Sequence, residues 1–156
     1  AIDLLDLNKQ DSVLDLFCGL GNFTLAAATR AGSVVGVEGS QEMVERGGEN
    51  ALKNGLENTR FFAANLAKSF ADEAWSRESY SKVLLDPPRS GALEIIKEVA
   101  ALGAQKIVYI SCNPATLARD TAELVAAGYR LTTAGVMDMF PHTTHVESMA
   151  VFEHTR

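Results

Sequence analysis

Cysteine is scarce in this chain: Cys18 and Cys112 are the only two. Two thiols cannot build a disulfide framework, and no Cys/His cluster has metal-site spacing. The expected compartment is therefore the reducing cytoplasm. Long apolar runs are missing too, none approaching the roughly 20 residues that span a bilayer. Residues 1–10 carry Asp3, Asp6 and Lys9 where a signal peptide would be apolar. Basic charge is in deficit, with 14 Lys and Arg against 20 Asp and Glu and a net charge of −6. Phosphate binding needs a basic surface, so tight nucleic-acid binding by these residues alone is not expected. Arg89, Lys106, Arg119 and Arg130 are candidates for a local basic rim, or simply for a solvated face. An initiator methionine, internal repeats, low-complexity segments and linkers are also lacking.

What is present is enough for one domain. A chain of 156 residues with 47% hydrophobic and 22% charged residues can bury a sizeable core. Apolar periodicity alternates between strand and helix. Strands are expected at 12–17, 34–38, 60–64, 81–86, 106–110, 129–137 and 145–153. Helices are expected at 22–31, 41–54, 92–101 and 115–127, the second ended by Asn54-Gly55. Residues 67–79 are a surface loop or short helix, and the first ten an entry helix left from something upstream. Alternating strand and helix predicts an α/β fold whose parallel sheet is covered on both faces. The short link Phe140-Pro141-His142-Thr143-Thr144 predicts that the last two strands are antiparallel.

Asp15-Leu16-Phe17-Cys18-Gly19-Leu20-Gly21-Asn22 lies between the first strand and the first helix. Gly19 and Gly21 allow a tight turn and close approach to a ligand, though G-x-G also marks plain turns. Glu38 ends the second strand, where a carboxylate can accept both hydroxyls of a ribose or simply face solvent. A dinucleotide loop prefers a third glycine, and Thr24 stands in its place. An S-adenosylmethionine loop does not need it. Asn65 and Asp86 follow the third and fourth strands, at the carboxyl edge where open α/β sheets bind ligands. Asn65 can present its amide to an adenine edge or form a turn. Asp86-Pro87-Pro88-Arg89 holds its carboxylate rigidly. Arg89 stands where amino-methyltransferases carry an aromatic, which argues against amine chemistry.

Ser111-Cys112-Asn113-Pro114 sets a cysteine where a strand stops and a helix starts. Asn113 is a good N-cap and Pro114 a good first helical residue. The unpaired N–H groups ahead of the sulfur favour a thiolate, whereas most free cysteines only pack. Cys18 reads as such a packing residue.

These segments, with Asp138-Met139-Phe140-Pro141-His142-Thr143-Thr144-His145-Val146-Glu147-Ser148, resemble the RNA (uracil-5-)-methyltransferase family over residues 12–153. Within it the likeness is greatest to members acting on 23S ribosomal RNA. The resemblance implies a class I S-adenosylmethionine-dependent methyltransferase fold, Rossmann-like. Its sheet has seven strands, mostly parallel, with a C-terminal antiparallel hairpin. It implies a domain at 12–156, with 1–11 a residual upstream segment. It implies that Cys112 is the nucleophile and Glu147 the general base. Phe17, Asn22, Glu38, Asn65 and Asp86 fall at positions that contact S-adenosyl-L-methionine, and Gly19 and Gly21 shape the pocket. His142 and His145 flank the site as alternative bases or as structural, substrate-facing groups. Without the resemblance, Glu147 reads as a solvent-facing charge.

Relatives also carry an RNA-binding domain, a central domain, a further cofactor-binding glutamine and a four-cysteine iron–sulfur site. None of these is in the present sequence. The expectation is an isolated catalytic domain of a bacterial enzyme, binding S-adenosylmethionine weakly and RNA very poorly. Neither a membrane nor an obligate protein partner is implied. Alternatives are a transfer-RNA or different ribosomal-RNA site, a fragment that binds the cofactor without catalysis, and a nucleotide-dependent oxidoreductase, which the incomplete glycine motif disfavours.

Overall fold

A computed structural model describes residues 1–138 and 146–155. The strands are β1 (Ser12–Leu16), β2 (Ser33–Glu38), β3 (Thr59–Ala63), β4 (Lys82–Leu85), β5 (Lys106–Ser111), β6 (Tyr129–Met137) and β7 (Glu147–His154). The helices are α1 (Ile2–Leu5), α2 (Asn22–Ala28), α3 (Gln41–Lys53), α4 (Ile96–Ala101) and α5 (Pro114–Ala126), with a 3₁₀ turn at Ala74–Arg77. The link at residues 139–145, with His142 and His145, lies outside the described residues.

All seven strands form one sheet in the order β3-β2-β1-β4-β5-β7-β6. The pairs from β3 through β5 are parallel, and β7 runs antiparallel to both β5 and β6. Strand order reverses between β1 and β4, which opens a crevice at the carboxyl ends of those strands.

Alternation along each strand divides the core. Leu14, Leu16, Val83, Leu85, Ile107, Tyr109 and Phe152 face the layer containing α4 and α5. Val13 and Val34 face α2 on the other side, where Leu84, Val108 and Ile110 pack against Leu5 of α1. Central strands buried on both faces account for the continuous apolar runs. Each such side chain contributes roughly 1.5–3 kcal/mol on burial. Residues 1–11 pack against the sheet: Leu5 is fully buried, and Asp11 accepts a hydrogen bond from the Ser81 hydroxyl at 2.7 Å. No helix among the described residues is long and apolar enough to cross a membrane.

Two helices are shorter than their apolar patterns predict. α2 ends at Ala28 rather than residue 31, and the Thr29 hydroxyl donates back to the Ala26 carbonyl at 2.8 Å. A side chain bonding to its own backbone competes with the helix there. α4 starts at Ile96 rather than residue 92: Ala92 to Ile95 form a separate turn, closed by the Ile95 N–H donating to the Ala92 carbonyl at 3.0 Å, with the Ala92 N–H held by Asp120.

Candidate active site

The glycine loop leaves β1 through Phe17, a non-glycine residue in the left-handed region at φ 65°. That conformation is sparsely populated and costs energy, so the surrounding structure must hold it. The Cys18 N–H does so by donating to the Val37 carbonyl at 3.0 Å, while the Phe17 ring packs on the core. Gly21 has φ 86°, and a Cβ there would meet Leu25 at 2.7 Å. Gly19 has φ 55° and open space where a Cβ would stand. Gly21 is therefore required by conformation and crowding, and Gly19 by conformation alone.

Three carboxylates surround this loop. One oxygen of Glu38 accepts the Gly19 N–H at 3.1 Å; the other accepts Gly39 at 2.8 Å and Ser40 at 3.3 Å. The end of β2 is thereby tied to the loop, and a carboxylate has lone pairs to spare for a ligand. Asp15 lies beneath, 1% exposed, and accepts the Thr24 hydroxyl at 2.6 Å on Oδ2. Its Oδ1 is buried without a partner. Burial first, with smaller contributions from Asp86 and Glu38, pushes the Asp15 carboxyl up to about 7. Asp86 donates its N–H to the Leu16 carbonyl at 3.3 Å, which anchors the turn after β4 to β1. Burial and the charge of Glu147 push its carboxyl up to about 6.

Asp15 belongs to the candidate site by its position, and sequence reasoning quoted it only as the start of the glycine loop. The available signal was a single acid inside an apolar strand, Val13-Leu14-Asp15-Leu16. Such a group is seldom buried without a purpose. Cys18 is buried, and desolvation pushes its thiol far up, as suits a packing residue.

On the other side of the crevice, Cys112 follows β5 and is half-buried. The Ser111 hydroxyl brackets it, accepting the Asn113 N–H at 3.0 Å and donating to the Asn113 carbonyl at 2.9 Å. Asn113 caps α5 by accepting the Ala115 N–H at 3.1 Å, and Pro114 takes the first helical position. The β5–β7 register pairs Ser111 with Ser148. Cys112 and Glu147 are each the next residue outward on neighbouring strands, at the same edge of the sheet.

Glu147 and Asp86 also share an open cleft of about 380 Å³ with Phe23, Ile110, Met137 and Met149. Cys112 is not among its lining residues; it follows the end of β5, two residues after Ile110, which does line the cleft. Asn22 begins α2 and is exposed. Asn65 is exposed at the carboxyl edge, and its side-chain oxygen accepts the Ala67 N–H at 2.9 Å in a turn. No hydrogen bond joins either residue to the carboxylates.

The sequence profile of the family described as tRNA (Uracil-5-)-methyltransferase matches residues 1–155. The chain is 66% identical over 153 residues to the 23S rRNA (uracil(1939)-C(5))-methyltransferase RlmD of Alcanivorax borkumensis, covering 98% of this chain and 34% of that protein. It is 64% identical to the RlmD of Alkalilimnicola ehrlichii, covering 98% and 35%. Among solved structures, it resembles the Pyrococcus abyssi tRNA (uracil-54, C5)-methyltransferase in complex with S-adenosyl-L-homocysteine. The TM-score is 0.81 at 31% identity, over 96% of this chain and 36% of that one. The chain spans about a third of the length of the curated relatives it matches.

Proposed function

The chain belongs to the tRNA (uracil-5-)-methyltransferase family, and from that membership we propose that it is the catalytic domain of a longer enzyme methylating C5 of a uridine in 23S ribosomal RNA, with S-adenosyl-L-methionine as methyl donor. The observation that carries this reading is the antiparallel β5–β7 register, whose last pair, Ser111 with Ser148, is followed outward by Cys112 on one side and Glu147 on the other. Identity of 66% with a 23S rRNA enzyme, against 31% with a tRNA enzyme, favours the ribosomal substrate.

The residues present fit the donor. Its sulfonium and amino group are cationic, and Asp15, Glu38 and Asp86 make the mouth of the glycine loop acidic. Glu38 has capacity for ribose hydroxyls, Gly19 leaves space above the loop, and the unpartnered Asp15 oxygen lies below it. Phe17, Gly21, Asn22 and Asn65 complete the set proposed to line this site.

Uracil C5 is too weak a nucleophile to take a methyl group unaided. The Cys112 thiolate adds to C6, and the electron pair of the C5–C6 double bond moves onto the O4 enolate. When bound, the donor supplies an electrophilic methyl on sulfur, which C5 accepts. Glu147 then removes the C5 proton; the pair left behind re-forms the double bond and expels the Cys112 thiolate. With a net charge of −6, most of the RNA grip falls to the rest of the longer protein. Cytoplasmic residence follows from a ribosomal substrate.

The test uses the full-length enzyme, labelled donor and RNA containing 5-fluorouridine. Fluorine cannot leave as a cation, so a methylated protein–RNA adduct should persist. Cys112→Ala should form none. An adduct on Cys112→Ala would overturn the assignment, and absence of any adduct on wild type would favour a cofactor-binding fragment without catalysis.

A further inference from the structure

Asp120 is fully buried in α5 and wholly paired, yet the proposed chemistry does not use it. Its Oδ2 accepts the Tyr109 hydroxyl of β5 at 2.6 Å and the Ala92 N–H at 2.7 Å. Its Oδ1 accepts Arg119 Nε at 2.9 Å. Arg119 Nη2 in turn donates to the Ser90 carbonyl at 2.9 Å. Toward the start of α5, the Asn113 amide and the Thr116 hydroxyl both donate to the Arg89 carbonyl, at 3.2 and 3.3 Å. Arg89, Ser90 and Ala92, in the segment that follows Asp86-Pro87-Pro88, are thus all bound by the first half of α5. Gly91 sits inside the grip at φ 83°, where a Cβ would lie 2.6 Å from Arg119 Nη2 and 2.7 Å from Asp120 Oδ2.

A buried carboxylate costs several kcal/mol to desolvate and is seldom the cheapest way to stabilise a core. Here its partners come from three places: β5, which leads directly into Cys112; α5, whose cap follows Cys112; and the segment after Asp86. We propose that Asp120 and Arg119 are positioning residues, a clamp that sets the Cys112 thiol relative to the donor side of the crevice. Asp86 keeps its own bond to Leu16, and Glu38 its bonds to the glycine loop, without the clamp. Loss of the clamp therefore frees the turn that presents the thiol while leaving the donor site standing. This inference rests on Cys112 being the nucleophile.

The test compares wild type, Asp120→Asn and Arg119→Gln in the full-length enzyme with 5-fluorouridine RNA. Adduct formation is timed at saturating RNA and donor, alongside S-adenosyl-L-homocysteine affinity and melting temperature. An ångström-scale misplacement costs about tenfold to a hundredfold in rate. That loss is expected in both variants, with affinity changed less than about threefold. Arg119 is partly exposed, so Arg119→Gln decides the matter if Asp120→Asn does not fold. A folded variant with an unchanged adduct rate overturns the clamp, as does an equal fall in rate and affinity. A wild type that forms no adduct condemns the nucleophile assignment instead.

Discussion

Ser111 of β5 stands opposite Ser148 of β7, and that one pairing sets the spacing of the two groups proposed to do the chemistry. Opposed residues in an antiparallel pair lie about 4.5–5.5 Å apart at Cα.

If Glu147 is the base, Glu147→Gln blocks only the last step. The full-length variant should accumulate methylated protein–RNA adduct with ordinary uridine, seen as a slow-migrating band in denaturing electrophoresis. Free thiol and no adduct, with full loss of activity, would assign Glu147 an earlier role.

Glu38 bridges the glycine loop and the end of β2, and a charge-assisted hydrogen bond is worth about 1.5–3 kcal/mol. Glu38→Gln should weaken S-adenosyl-L-homocysteine binding by about tenfold or more in calorimetry. Unchanged affinity would remove Glu38 from the donor site.

Asp15 and Asp86 bind protons more tightly in the folded chain, with carboxyls pushed up to about 7 and about 6, than an ordinary aspartate carboxyl does at 3.8. The folded state thus holds more protons than the unfolded one between about pH 4 and 7. The associated stability is present below that window and is lost as pH rises through it. Asp3 and Glu78, held down by Arg30 and Arg60, act below the window and in the opposite sense. Urea midpoints of the unliganded chain should fall from pH 5 to pH 8, and Asp15→Asn should flatten the slope. A slope unchanged by Asp15→Asn would show that other groups carry it.

Gly91→Ala adds a left-handed strain and a clash with Arg119 and Asp120. A loss of about 1–3 kcal/mol is expected, or several degrees in melting temperature for a domain of this size. A melting temperature within one degree of wild type would mean that the segment relaxes at little cost.

Periodicity made the sheet legible because each strand is short, apolar and followed by a helix, and the brief link after β6 announced the reversal at β7. Asn113 and Pro114 announced the start of α5 through local chemistry, which needs no tertiary information. The start of α4 was not legible: Ala92 to Ile95 look helical but close a tighter turn of their own, tied to Asp120, 28 residues away. The clamp escaped for the same reason, since its partners are distant in sequence. Glu147 looked like a surface charge, and only family resemblance singled it out. The register that sets Glu147 and Cys112 one step beyond the Ser111–Ser148 pair is set by long-range pairing.

β6 pairs only with β7, and β7 inserts between it and β5. During vectorial synthesis the glycine loop and Cys112 therefore emerge before Glu147, and β6 waits unpaired for the strand that follows it. A ribosome-bound chain that has reached β6 carries Cys112 without Glu147. Insertion of β7 is then the event that both seals the sheet and brings Glu147, the proposed base, to the edge where Cys112 already stands.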